Sequence, residues 1–246
     1  MNSLPDLSDA DLVPCYQCLV GCLLYLATAT CLDISYYAMW LGQFNTTPSR
    51  AHFLMAKHVL HYLVGMKLLA LCLGSSSPQV PPTLSGYLQN VGCSDADWAS
   101  DAVDRKSIFG YSFYFQGSLV SWSAVKQKAI ALSSNKAEYY AMTHAFKEAL
   151  WLCTFLGLLK FPIPILFLFL VIIRLLVHFQ ILLRSQHIDI HHHIIHDLVQ
   201  VLDGSFSTTW IPTLDMPADI FTKPLPFPVF SHHRDVLGLS IPLSFC

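Results

Sequence analysis

The sequence predicts an α/β architecture, a mixed sheet flanked by helices and preceded by a small helical segment. Three observations predict it. Short extended stretches between 89 and 124 give way to one long helical pattern at 133–159, and strands followed by a helix are the pattern of an α+β or mixed α/β domain. A Ser/Pro/Gly-rich stretch at 74–86, GSSSPQVPPTLSG, separates this region from a helical one before it. Apolar residues make up 54% of the 246 and charged residues 12%, which supplies ample material for a core and excludes a disordered polyampholyte.

Each element has its own signal. Residues 16–44 and 49–66 read as helical. In the second, Phe53, Met55, Val59, Leu60, Leu63 and Val64 recur at near-helical spacing, and Thr47-Pro48-Ser49 is a start signal. Extended segments follow at 89–95, 107–117 and 118–124, and Gln116-Gly117 makes a tight turn between the last two, as in an antiparallel hairpin. Ser133, Ser134 or Asn135 caps the long helix of 133–159. Nine uninterrupted apolar residues at 165–173 fit a buried strand, and LLVHFQILL (175–183) follows Arg174 as a helix. A His-rich helix (187–200), a short strand (207–212) and a tail containing ADIFTKPL (218–225) complete the chain.

Charge narrows the function. Lys plus Arg is 14, Asp plus Glu is 16 and the pI is near 6.6, so no global basic field draws in nucleic acid. Only two residues are Glu, and no carboxylate lies between Glu148 and Asp189. The N-terminus has no basic stretch ahead of an apolar one, which argues against a secretory signal and for a cytoplasmic or nuclear location. Eight scattered cysteines suggest reduced, buried thiols. Cys15-x-x-Cys18 is half of a zinc spacing without a second pair, so structural cysteines are the preferred reading. Residues 161–183 reach bilayer-spanning length only with Arg174 near the middle, at a cost of about 2.5–3.5 kcal/mol. A buried strand and helix is therefore preferred to a membrane-associated span.

Several motifs together resemble one family. SDADWASD (94–101), RKSIFGYSFYFQGSLVSWSAVKQKAIALSS (105–134), NKAEYYAM (135–142), QHIDIHHHIIHDLV (186–199) and WIPTLDMPADIFTKPLP (210–226) occur in this order. The set resembles the ribonuclease H domain of copia-type LTR retrotransposon Pol polyproteins. Residues 19–44 and 49–65 resemble the end of the reverse transcriptase that precedes that domain. The paired aspartates of the reverse transcriptase palm are absent, so the chain resembles a C-terminal fragment. The resemblance implies a reverse-transcriptase end over 1–73, a linker at 74–87, a ribonuclease H-like domain at 88–225 and a tail at 226–246. The remainder of the reverse transcriptase is an implied partner.

The resemblance also implies chemistry. Ribonuclease H enzymes cut the RNA strand of an RNA–DNA hybrid with two Mg2+ ions, which activate a water and stabilise the leaving oxygen. Such ions need several converging carboxylates. By motif, Asp95 matches the Asp of the first strand, Glu138 the Glu of the first helix and Asp219 the last Asp, as catalytic and metal-binding residues. The Asp of the fourth strand has no match. Counting back from HIDI, it falls on Leu168-Phe169, inside an acid-free stretch. The expectation is a degenerate domain with weak or absent hydrolysis because Leu168 replaces a catalytic Asp.

Other residues are secondary candidates. Asp97 lies on the same strand face as Asp95 if the strand continues, though a solvated strand end is as good a reading. Arg105, Lys106, Trp122, Lys126 and Lys128 are candidate contacts to the hybrid backbone, and a solvated hairpin rim is the plain alternative. A non-catalytic nucleic-acid-binding module is a weaker reading for lack of basic surface. His187 with His191, and His192 with His196, are i,i+4 pairs with zinc-binding potential. His187 and His193 are usual in the family without being ligands, so the non-ligand reading is preferred.

Overall fold

A computed structural model describes residues 9–74, 90–160, 167–171 and 206–241. The expected linker and the His-rich helix with its histidine pairs lie outside these residues, apart from Gly74, as does most of the apolar stretch 161–183. The chain divides into two compact units, Met1–Leu71 with Ser240–Cys246, and Cys72–Leu239.

The first unit is helical. Helices α1 (Asp9–Ala29), α2 (Ser35–Gly42) and α3 (Arg50–Gly65) surround one apolar cluster. Tyr16, Val20, Leu23 and Ala27 of α1 recur every three to four residues and are buried there with Ala38, Leu41, Phe53, Ala56 and Val59. The single helical run expected over 16–44 is broken by a 3-10 turn, Leu32–Ile34. The break buries Asp33, whose carboxylate accepts a hydrogen bond from the Tyr62 hydroxyl. Helix α3 begins with a capping box: Ser49 Oγ accepts from the His52 N–H, and His52 Nδ1 accepts from the Ser49 N–H. By length and composition, Leu12–Ala29 is also apolar enough to cross a membrane, yet the same helix carries the stripe that fills this core.

The second unit is a five-stranded sheet. Strands β1 (Asn90–Asp97), β2 (Ile108–Phe115), β3 (Ser118–Lys126), β4 (Phe167–Val171) and β5 (Phe206–Trp210) lie in the order β3-β2-β1-β4-β5. The first three are antiparallel neighbours; β4 runs parallel to β1, and β5 parallel to β4. The sheet is mixed, as expected. Gln116 and Gly117 both take positive φ (49° and 78°) in the β2–β3 turn, the twist that a two-residue hairpin loop needs.

Helix α4 (Ser134–Leu158) packs on this sheet. Ala137, Ala141, Ala145 and Ala149 form a fully buried stripe at every fourth residue, and small side chains let the helix lie close to the strands. Met142, Phe146, Leu152 and Leu156 extend the buried face. Of the three cap candidates, Ser133 does the capping: its extended backbone lets Oγ accept from the Lys136 N–H. Ser133→Ala should lower the stability of the second unit by about 1 kcal/mol, measured as a shift of the urea midpoint. An unchanged midpoint would show that the cap contributes nothing.

Two features were not expected from the sequence. The tail placed at 226–246 contains a helix, α5 (Phe227–Val236), which belongs to the second unit. Pro228 at the second helical position favours its start, and His233 and Val236 are buried. The strand pairing of Leu168 is the second. Leu168 pairs with Val91, and Leu170 with Cys93, so Leu168 lies four residues short of Asp95, about 13 Å along the strand. An independent count from a distant motif tolerates such an offset; strand pairing does not.

Candidate functional site

Strand β1 is central, with β2 on one side and β4 on the other. Its residues from Val91 to Asp95 are therefore all buried, and a carboxylate at position 95 must be compensated inside the protein. Asp95 is 2% exposed. The Thr222 hydroxyl donates to Asp95 Oδ2, and Lys223 Nζ lies 3.7 Å from the same oxygen.

Asp219 arrives from a 3-10 turn, Pro217–Phe221. The turn is seated by a close approach. Gly110, paired with Asp95 in the β1–β2 register, leaves room for Phe221 and Thr222: a β-carbon on Gly110 would come within 2.4 Å of Phe221 Cβ. Lys223 Nζ is 2.9 Å from Asp219 Oδ2, one helical turn back along the chain. Glu138, on the first turns of α4, is 5% exposed and accepts a hydrogen bond from the Ala96 backbone N–H. The structure thus brings Asp95, Glu138 and Asp219 together from three separate elements.

The electrostatics follow from this crowding. Burial, and then the neighbouring Asp95, push the Glu138 carboxyl well above its ordinary range. The same two causes push Asp219 up to about 8, against the opposing pull of Lys223. Asp97 is raised by burial, with Lys223 lowering and Asp95 raising it, so its charge is felt in the same cluster. Burial alone would lower the Lys223 ammonium, but Asp95 and Asp219 outweigh it and the group is raised.

Three participants were not legible in advance. Thr222 and Lys223 belong to the ADIFTKPL motif, where the i,i+4 spacing of Asp219 and Lys223 was the available signal. His233 of α5 is 1% exposed, and neither ring nitrogen has a hydrogen-bond partner. Burial, then His232 and Lys223, lower it to about 4, so it is neutral near pH 7.

The expected nucleic-acid contacts are placed differently from the acids. Lys126 is held between Asp101 Oδ2 (2.6 Å) and Asp104 Oδ1 (3.0 Å), and Lys106 lies 3.2 Å from Asp104 Oδ2. Asp101 Oδ1 also accepts from the backbone N–H groups of Val103 and Asp104, which ties the loop into a turn. The charges of Lys106 and Lys126 are therefore matched locally. Arg105 and Lys128 are exposed and Trp122 is half-buried.

Whether divalent cations fit this cluster can be tested against the side chains. Among the described residues, the buried oxygens Glu138 Oε2 and Asp219 Oδ1 have no hydrogen-bond partner, and such oxygens are the kind of donor a hard cation takes. Yet among the described residues no three His, Cys, Asp or Glu side chains are disposed to hold one ion. Lys223 already contacts two of the acids, and the whole stretch 149–188, which includes β4, contains no carboxylate. The residues present do not fit a two-ion site.

The comparisons with known proteins agree on the family. The chain is 34% identical over 227 residues, 91% of its length, to the retrovirus-related Pol polyprotein from transposon TNT 1-94 of Nicotiana tabacum, and covers 16% of that polyprotein. It is 34% identical over 92% of its length to the corresponding polyprotein from transposon RE1 of Arabidopsis thaliana, covering 15% of it. The chain thus spans about a sixth of these relatives. It is also 38% identical over 137 residues to secreted RxLR effector protein 161 of Plasmopara viticola, covering 90% of that protein. No protein-family model matches. Among solved structures, LC11-RNase H1 in complex with an RNA/DNA hybrid is similar at 14% identity and a TM-score of 0.42, over 55% of this chain and 94% of that one. A score this low leaves the assignment resting on the polyprotein relatives and the sheet order. On these grounds the chain belongs to the copia-type retrotransposon Pol family and carries a ribonuclease H-like domain of that family's polyprotein.

Proposed function

We propose that the second unit descends from an enzyme that hydrolysed the RNA strand of RNA–DNA hybrids, and that hydrolysis here is weak or lost. Asp95, Glu138 and Asp219 are its remaining catalytic acids. The observation that carries the reading is the neighbour of β1. Strand β4 pairs in parallel with the strand that bears Asp95, and no position from 149 to 188 offers a carboxylate. That conclusion holds in any register. With one strand of the sheet empty of acids, fewer carboxylates would be available to hold Mg2+, and affinity for it would fall. The matched charges of Lys106 and Lys126 give no support to a purely nucleic-acid-binding role.

The test is cleavage of a labelled RNA–DNA hybrid with Mg2+ or Mn2+. The unmodified chain should cut at or near background. Leu168→Asp is the rescue arm. Robust cutting by the unmodified chain, abolished by Asp95→Asn, would overturn the proposal.

A further inference from the structure

We propose that Lys223 is a built-in cation of the acid cluster: its ammonium compensates Asp95 and Asp219 in the metal-free chain and competes with any divalent cation for their oxygens. This rests on reading the cluster as the remnant of a metal site, and it accounts for the misfit between the acids and an ion.

Four observations support it. Lys223 Nζ is 2.9 Å from Asp219 Oδ2 and 3.7 Å from Asp95 Oδ2, so one ammonium contacts two buried carboxylates from separate elements. The backbone beneath it is anchored. The Lys223 N–H donates to the Asp219 carbonyl, the Thr222 hydroxyl donates to Asp95, and Phe221 is seated over Gly110. The oxygens that Lys223 does not satisfy, Glu138 Oε2 and Asp219 Oδ1, have no hydrogen-bond partner, so the ammonium only partly fills the demand of the cluster. Finally, the acids as they stand do not surround a common ion position.

The physical reason is charge density. Several carboxylates buried together repel one another in a medium that screens poorly. Protonation of Glu138 and Asp219 relieves part of this repulsion near neutral pH, and Lys223, partly buried and in contact with two of the acids, relieves the rest without metal. Its four-carbon stem is flexible, so a divalent ion strong enough to claim the same oxygens can push the ammonium out. Competition lowers metal affinity without abolishing it.

The experiment uses the full chain, Mn2+ alone as the probe, and the variants Lys223→Gln and Lys223→Arg. Bound Mn2+ is read by its electron paramagnetic resonance signal, and stability by urea unfolding in chelator. Lys223→Gln should bind Mn2+ at least about tenfold more tightly than the unmodified chain, since one positive charge no longer opposes the ion at contact distance. Lys223→Arg should match the unmodified chain. In chelator, Lys223→Gln should lower the urea midpoint, and the loss should shrink sharply in an Asp219→Asn background.

A measurement without substitution guards against a variant that does not fold: Mn2+ should raise the rate at which an amine-acylating reagent modifies Lys223, relative to the exposed Lys128. Equal Mn2+ affinity in the unmodified and Gln chains, or a stability loss that is the same in both backgrounds, would overturn the lysine proposal while leaving the remnant metal site standing. No Mn2+ binding by any of the chains would overturn the competition while leaving the remnant-site reading standing, since that reading already expects weak or lost metal affinity. Neither result depends on hybrid cleavage.

Discussion

Gly110→Val should lower the stability of the second unit by about 3 kcal/mol, and should detach the turn that carries Asp219. Gly110 sits opposite Asp95 in the β1–β2 ladder. A β-carbon there would lie 2.4 Å from Phe221 Cβ and 3.0 Å from the Ser123 backbone carbonyl. Neither obstacle is the free end of a flexible side chain, so relief requires the 3-10 turn to lift away from the sheet. Lifting it withdraws Asp219, Thr222 and Lys223 from Asp95 at the same time. The effect should appear as a large drop in the urea midpoint, and Gly110→Ala should already show part of it. A midpoint within error of the unmodified chain would show that the turn is not seated as described. Gly92 makes a useful contrast. There the obstacle, at 2.5 Å, is the ring of Phe113, a side chain that can rotate where the backbone opposite Gly110 cannot.

Stability of the same unit should fall as pH rises from about 6.5 to about 8. The sign follows from Asp219, raised to about 8 by burial and by Asp95. An unfolded Asp titrates near 3.9, so between those values the folded state binds more protons than the unfolded state. Stability then falls with rising pH. Glu138, raised by burial and Asp95, acts in the same direction. His233 acts oppositely: lowered to about 4 mainly by burial, it is neutral in the fold where the unfolded ring is charged, so it opposes the trend below about pH 6.5. Only the upper window belongs to the acids alone. Asp104, held near 2 because its pairing with Lys126 and Lys106 outweighs burial, contributes stability that is lost only in strong acid, as pH falls from about 4 toward 2. Urea midpoints across pH 5–9 measure the profile, and Asp219→Asn should flatten the limb above pH 6.5. A midpoint that rises or stays level from 6.5 to 8 in the unmodified chain would contradict the charge state assigned to the cluster.

Much of the fold was legible because local chemistry sufficed. The three antiparallel strands were read from extended patterns and from the Gln116-Gly117 turn, and they appear within a few residues of expectation. The long helix needed only its periodicity and a Ser before it; Ser133 was chosen over Ser134 and Asn135 by backbone conformation, which the sequence leaves open. Where expectation and structure parted, a longer-range constraint decided. The helical run at 16–44 is interrupted at Leu32–Ile34, where buried Asp33 accepts from Tyr62 on α3. The tail became α5 because His233 and Val236 find a core to enter. Leu168 moved because a parallel ladder sets its own register.

The candidate site divides in the same way. The absence of any acid from 149 to 188 is a fact of composition, true in every conformation the chain can adopt. It was enough to predict that one strand of the sheet brings no metal ligand. The presence of a cation in that site is a fact of tertiary structure. Asp95, Glu138 and Asp219 are separated by dozens of residues, and only the packing of α4 and the 3-10 turn against β1 makes their charges add. Lys223 reaches the acids only because Gly110 lets the backbone of its turn approach the sheet. Charge type is written in the sequence, but charge compensation depends on distance, and distances between remote residues exist only once the chain has folded.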